Sequence, residues 1–269
     1  MWELDFISEE DFYEHVKNTI RKYGEKLEAY DLKKFNKNLI DPIKLIFDKT
    51  VYDLTWNEII GNEIFRQRDK ANTNDIGYFH QQMFKYINKC EVPANGENGG
   101  WDVIFRDPDG IRLEDIGTVH TVYVEMKNKH NTMNSASAGK TFIKMQNQLL
   151  NDDDCACFLV EAIAQRSQNI KWETTVDKKR VGHRLIRRVS LDRFYEIVTG
   201  DKNAFYKICM TLPTVIMEVV EEQSAVKAPH DTVLEELRVW ASHLEAENED
   251  FAMLLAIYML GFKDYNGFY

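Results

Sequence analysis

The run Thr121-Val122-Tyr123-Val124-Glu125-Met126-Lys127 constrains this chain more than any other stretch, because β-branched and aromatic residues dominate it and its charges fall only at the end. Successive side chains of a strand point to opposite sides, so Val122, Val124 and Met126 share one face and Tyr123, Glu125 and Lys127 the other. One face belongs against a core. The other presents a carboxylate and an ammonium together. About twenty residues earlier, Gly100-Trp101-Asp102-Val103-Ile104-Phe105 reads as a second strand, with Trp101, Val103 and Phe105 on one face and Asp102 beside Ile104 on the other. Between the two, Asp107-Pro108-Asp109-Gly110 has Pro and Gly where a tight turn wants them. This predicts antiparallel pairing and brings Asp102 toward Glu125.

Two carboxylates and a lysine so arranged suit hydrolysis of a phosphodiester. That reaction needs a hard divalent cation to polarise the phosphate and acidify a bound water, and Asp and Glu oxygens suit Mg²⁺. A lysine two positions beyond the glutamate can orient the nucleophile and stabilise the charge that develops. Alone, an Asp followed by Glu-x-Lys is a common pattern that a solvated ion pair also satisfies. Here Glu125-Met126-Lys127 is the only Glu-x-Lys in the chain and ends its most strand-like run.

The order of a helix bearing Glu63, a hairpin strand bearing Asp102, a strand ending in Glu125-x-Lys127, a helix from about Ala138 and the apolar run Cys155 to Ala164 resembles the PD-(D/E)XK nuclease core. The proline of that name is absent, Trp101 standing before the Asp. The words Tyr78-Phe79-His80-Gln81, Val124 to Asn131 with Ser137-Ala138-Gly139-Lys140-Thr141, and Ser190-Leu191-Asp192-Arg193-Phe194-Tyr195 further resemble type II restriction endonucleases that recognise GGNCC-type sites. The likeness spans roughly residues 55 to 220 and is tightest from Glu125 to Leu150. It implies Mg²⁺-dependent cleavage of double-stranded DNA at a short palindrome by a homodimer, and a cognate DNA methyltransferase in the same system that is not a stable subunit. Asp102, Glu125 and Lys127 would then be catalytic and Asp102 and Glu125 metal-binding, with Glu63 a candidate third metal ligand.

Charge is distributed to match. The chain carries a net −10, which opposes indiscriminate DNA binding, since that affinity comes from cations displacing phosphate counterions. Yet residues 127–188 are locally basic, while Glu9, Glu10 and Asp11, and then Glu235 to Asp250, make both ends acidic. Such segregation suits one DNA-facing surface. Asn128, Lys129, His130, Asn131, Asn134 and Ser135 form a polar run of the amide and lysine chemistry that reads purine edges. Lys140, Thr141 and Lys144 are placed to meet phosphates near a helix N-terminus. Arg180, Arg184, Arg187 and Arg188, with His183, read as a backbone-positioning cluster.

The chain of 269 residues, 44% hydrophobic, can bury a sizeable core. We expect an α/β (α+β) architecture in a single domain: a mostly helical part over 1–54, a core over 55–220 with a mixed central β-sheet flanked by helices, and a second helical part over 221–269. Strands are expected near 101–106, 119–127, 155–164 and 185–189, and a helix over 138–150. Ser8 and the Thr55 to Glu58 capping box mark helix starts, and Gly200 ends a helix begun at Ser190. The tail should form two amphipathic helices, whose stripes Val233, Leu237, Trp240, Leu244 and Phe251, Leu254, Leu255, Tyr258 are available to pack on the core or on a second subunit. With no signal peptide, no apolar run of bilayer length and four cysteines without zinc spacing, a cytoplasmic protein with no membrane association is expected. Two other readings stand beside the nuclease. Asn134 to Thr141 approaches a phosphate-binding P-loop of an ATPase, lacking its first glycine, and a non-catalytic DNA-binding protein could use the same fold.

Overall fold

A computed structural model describes residues 4–25, 28–94, 96–113, 116–130, 132–222 and 230–262. In chain order the elements are α1 (Glu9–Glu25), α2 (Leu32–Asn36), α3 (Pro42–Val51), α4 (Trp56–Met83), β1 (Cys90–Glu91), β2 (Val103–Leu113), β3 (Gly117–Lys129), α5 (Ser135–Asn151), β4 (Cys155–Ile163), β5 (Asn169–Val176), β6 (Lys179–Ser190), α6 (Leu191–Thr199), α7 (Ala204–Glu222), α8 (Val233–Ala241) and α9 (Glu249–Phe262). The described residues thus form nine α-helices and one six-stranded mixed sheet of order β1-β2-β3-β4-β6-β5. No helix among them is long and apolar enough to cross a membrane. Two compact units are distinguished, Met1–Ile20 with Asp75–Gln223, and Arg21–Asn74 with Ser224–Tyr269.

The first unit holds the whole sheet. β2 and β3 pair antiparallel, whereas β3–β4 and β4–β6 are parallel, the first of these connected through α5. Both faces are covered, so the strands behave as the interior of an α/β sheet. Val103, Phe105, Val122, Val124, Phe158 and Val160 face one core, shared with Phe12 of α1 and Phe194 of α6. Ile104, Cys157, Leu159 and Ile186 face the other, shared with Phe142 and Met145 of α5. Glu125 and Lys127 belong to this second face by alternation.

Three local expectations are corrected. The Asp107-Pro108-Asp109-Gly110 segment is not the hairpin turn but an irregularity inside β2, where the register shifts between Arg106 and Ile111 and pairing continues to Leu113 opposite Gly117. Pro108 has no N–H to give the ladder and Gly110 sits at φ +93°, so the sequence that resembles a turn makes a bulge. Trp101 lies on the Ile104 side rather than with Val103 and Phe105, because regular β2 begins only at Val103, after Gly99 and Gly100 have turned the chain at positive φ. Strand β6 begins at Lys179, earlier than expected, and pairs with β5, which the sequence reading did not assign.

The second unit is helical. Tyr30, Phe35, Leu45, Ile60, Ile64, Leu237 and Ile257 are among its buried residues. Thr55 and Glu58 form the expected reciprocal cap at the start of α4, Thr55 N donating to Glu58 Oε2 and Glu58 N to Thr55 Oγ1. In α9 the buried stripe is Ala252, Met253, Ala256, Ile257 and Leu260, and Phe251 is exposed, so the expected stripe is rotated by about one residue.

Candidate active site

Asp102 lies just before β2, where its N–H donates to Val124 O at 2.9 Å and extends the β2–β3 ladder by one residue. Its Oδ2 accepts from the backbone N–H of Met126 at 2.6 Å, and Gln81 Nε2 donates to its carbonyl oxygen at 3.2 Å. The carboxylate is thereby tied to the peptide that follows Glu125. Across the hairpin, Glu125 is gripped at both oxygens. Lys127 Nζ donates to Oε1 at 2.9 Å, and Lys144 Nζ, reaching over from α5, donates to Oε2 at 2.9 Å. Lys144 also donates to Gly100 O at 2.7 Å and lies 4.1 Å from the centroid of the Trp101 ring.

These surroundings push the two acids apart. Burial raises the Asp102 pKa, and the charge of Glu125 adds to the rise while the Met126 N–H opposes it. Burial works on Glu125 in the same direction, but Lys127 and Lys144 together outweigh it and hold Glu125 below the ordinary carboxylate range. Glu125 is the firmly ionised member. Among the described residues no group of three or more His, Cys, Asp or Glu could cage a metal ion. Two carboxylates on one rigid hairpin instead fit Mg²⁺, which keeps several waters and is usually held by one or two carboxylates plus substrate phosphate.

Beside Lys127 the sheet carries a second ionic group. Lys127 and Glu161 are register partners on β3 and β4. Glu161 is buried, with Oε1 accepting from Arg188 Nε at 2.9 Å and also from Arg188 Nη2, and with Oε2 3.0 Å from His130 Nδ1. A cavity of about 140 Å³ opens here, lined in part by Lys127, Lys129, Glu161, Trp172 and Arg188.

The residues expected to meet DNA do not all share one surface. Lys129, Ser135 and Lys140 are exposed, and alternation places Lys129 on the Lys127 side of β3 and Asn128 on the reverse. His130 joins Glu161 and Arg188 instead. Asn134 is the N-cap of α5, its Oδ1 accepting from Ser137 N at 2.9 Å, and Thr141 Oγ1 points to Met133 Sδ at 3.9 Å. Asn131 lies outside the described residues. Arg180 pairs with Glu173 on an exposed surface, and Arg184 is exposed. Arg187 is buried, donating to Asn169 Oδ1 at 2.8 Å and to Asn169 O at 2.5 Å. Since alternation sends Arg187 and Arg188 to opposite faces of β6, the arginines do not form a single cluster. Glu63 belongs to the second unit, where Arg66 donates to both its oxygens and Gln67 to Oε1.

Two roles escaped the sequence reading. Lys144 had been matched to phosphate, yet in the structure it holds Glu125. The available signal was the stripe Thr141, Lys144 and Gln148 bordering the apolar stripe Phe142, Met145 and Leu149; Gln148 Oε1 accepts from Trp101 Nε1 at 3.4 Å. Glu161 is the other, and the signal for it is a carboxylate inside the apolar run Cys155 to Ala164, which calls for a buried partner.

Comparison with known proteins gives the family of the chain. The family model described as Eco47II restriction endonuclease matches residues 4–221. The chain is 32% identical over 233 residues to the type II restriction enzyme Sau96I of Staphylococcus aureus, covering 83% of this chain and 84% of that one. It is 26% identical over 232 residues to the type II restriction enzyme Eco47II of Escherichia coli, covering 82% and 89%.

Proposed function

We propose that this chain, which belongs to the Eco47II restriction endonuclease family and is a type II restriction endonuclease, cuts double-stranded DNA with Mg²⁺ on a PD-(D/E)XK core whose catalytic residues are Asp102, Glu125 and Lys127. The observation that carries the reading is the Asp102 Oδ2 to Met126 N–H bond, which fixes one carboxylate against the peptide next to the other while Lys127 grips Glu125. Asp102 and Glu125 would hold the ion, and Glu63, engaged by Arg66 and Gln67, is not needed for it. Mg²⁺ when bound acidifies a water and polarises the scissile phosphate. Lys127 would orient the attacking water and meet the negative charge that builds on the phosphate oxygens. Asp102, tied by Oδ2 to the Met126 N–H, would be one of the two carboxylates that offset the charge of the ion.

The target is a short palindrome of GGNCC type, cut by a homodimer with one active site per strand. Exposed Lys129, Ser135 and Lys140 near the end of β3 and the start of α5 supply DNA contacts. A cognate methyltransferase protects the host genome in the cytoplasm, where both act. The P-loop reading loses its support: Asn134 is spent as a helix cap, and an ATPase has no use for a glutamate gripped by two lysines.

Incubating the protein with plasmid DNA and Mg²⁺ and sequencing the fragment ends gives the site and the cut position. Asp102→Ala, Glu125→Ala and Lys127→Ala should each abolish cleavage in a folded protein that still binds its site. Near wild-type cutting by Glu125→Ala would overturn the assignment.

A further inference from the structure

We propose that Lys144 is a positioning residue for Glu125, holding Oε2 in place until a divalent cation takes that oxygen over and therefore competing with the cation for it. The inference rests on the reading of Asp102 and Glu125 as the metal pair.

Geometry distinguishes Lys144 from Lys127. Lys127 sits two residues from Glu125 on the same strand and reaches Oε1 locally. Lys144 arrives from a separate helix and is anchored on three sides, by Glu125 Oε2, by Gly100 O and by the face of Trp101. An ammonium has three N–H donors, and two are spent on oxygens here while the ring accepts the remaining cationic field. Gly100 and Trp101 directly precede Asp102, so one ammonium links the helix to both segments that bear the metal-binding carboxylates. Gly100, at φ +68°, stands in a backbone conformation that disfavours a side chain.

The consequence is electrostatic. A carboxylate without a partner on Oε2 would be free to turn, and Lys144, itself anchored on Gly100 O, keeps it aimed. A divalent cation placed at the same carboxylate is repelled by that ammonium across a few ångströms of poorly screening protein. Lys144 therefore trades metal affinity for a preformed ligand. The side chain is 30% exposed, which leaves it room to swing aside without unpacking α5.

Mn²⁺ binding to the full-length protein without DNA, read from the electron paramagnetic resonance of the free ion, tests this. Lys144→Gln should bind Mn²⁺ on the order of tenfold more tightly, the scale of one close charge on a carboxylate. Its cleavage rate at saturating Mg²⁺ should fall, since Glu125 is no longer held. Lys144→Arg, which keeps the charge, should return affinity and rate toward wild type, and Lys144→Met should repeat the glutamine result with a different side-chain packing. A merely structural lysine would give unchanged or weaker Mn²⁺ binding in both uncharged variants, and that result overturns the inference. Glu125→Gln separates the two levels. If it abolishes Mn²⁺ binding while Lys144→Gln changes nothing, only the role of Lys144 falls. If it binds Mn²⁺ like wild type, the metal pair falls and the role of Lys144 with it.

Discussion

Replacing Arg188 by methionine would leave the Glu161 carboxylate, 2% exposed, without its guanidinium and with His130 within hydrogen-bond distance. Breaking a buried pair by removing one partner typically costs ~3–5 kcal/mol, because the other charge stays desolvated and uncompensated. Two features of this site lower that figure. Arg188 is itself 22% exposed, so water can reach part of the vacated volume, and His130 Nδ1 still lies 3.0 Å from Glu161 Oε2. A loss of ~2–4 kcal/mol results, which in urea lowers the unfolding midpoint by about 1 M or more for a domain of this size. Equilibrium unfolding followed by circular dichroism measures it. Arg188→Met combined with Glu161→Leu, which removes both charges, should recover most of the loss. A midpoint unchanged by Arg188→Met, together with a salt dependence of DNA binding reduced by about one unit, would refute the argument and return Arg188 to the phosphate-contacting role its sequence suggests.

Other expectations follow from the same contacts. His80 is pushed down from 6.5 to about 4 by burial and then by the nearby His15, so its neutral form is the folded one. The unfolded chain takes up that proton first as pH falls. The contribution is therefore complete above about pH 6.5 and is lost between there and pH 4, by up to ~3 kcal/mol. Urea unfolding of wild type and His80→Phe at pH 7.5 and 4.5 checks this, and an equal acid loss in the variant would exclude His80. Gly110→Ala should cost ~1–2 kcal/mol and lower Tm, since a Cβ there would stand 2.5 Å from Thr118 Cγ2 at φ +93°. Lys129→Ala and Lys140→Ala, both of exposed residues, should each flatten the salt dependence of DNA binding by about one unit of slope. Arg187→Ala should instead lower stability and leave the slope alone, because its guanidinium is spent on Asn169.

Much of the site was legible because a strand writes its two faces into the chain. Alternation alone puts Glu125 and Lys127 together and opposite Val122 and Val124, and the structure keeps that placement, whereas Trp101 leaves the Val103 side for the Ile104 side. Caps were equally local. Ser8 Oγ accepts from Asp11 N, Thr55 and Glu58 exchange bonds, and Gly200 closes α6 at φ +76°. β5 was hidden because half of its residues are exposed and only Trp172 is buried, with charges at Lys171 and Glu173, and its β-character depends on pairing with β6. The Asp-Pro-Asp-Gly segment misled because turn and bulge use the same residues, and only the continued pairing from Ile111 to Leu113 tells them apart.

The sequence by itself determined that Glu125 and Lys127 share one face of their strand and Val122 and Val124 the other, since periodicity acts over neighbours a few residues apart. Tertiary structure alone decided which cation serves which acid. Lys144 holds Glu125 from a helix nineteen residues on, and Arg188 serves Glu161 across the β4–β6 pairing while the neighbouring Arg187 is buried against Asn169. Those partnerships depend on where α5 lies across the sheet and on parallel strand register. Burial sets their strength and is a property of the packed whole, which no local pattern of residues records.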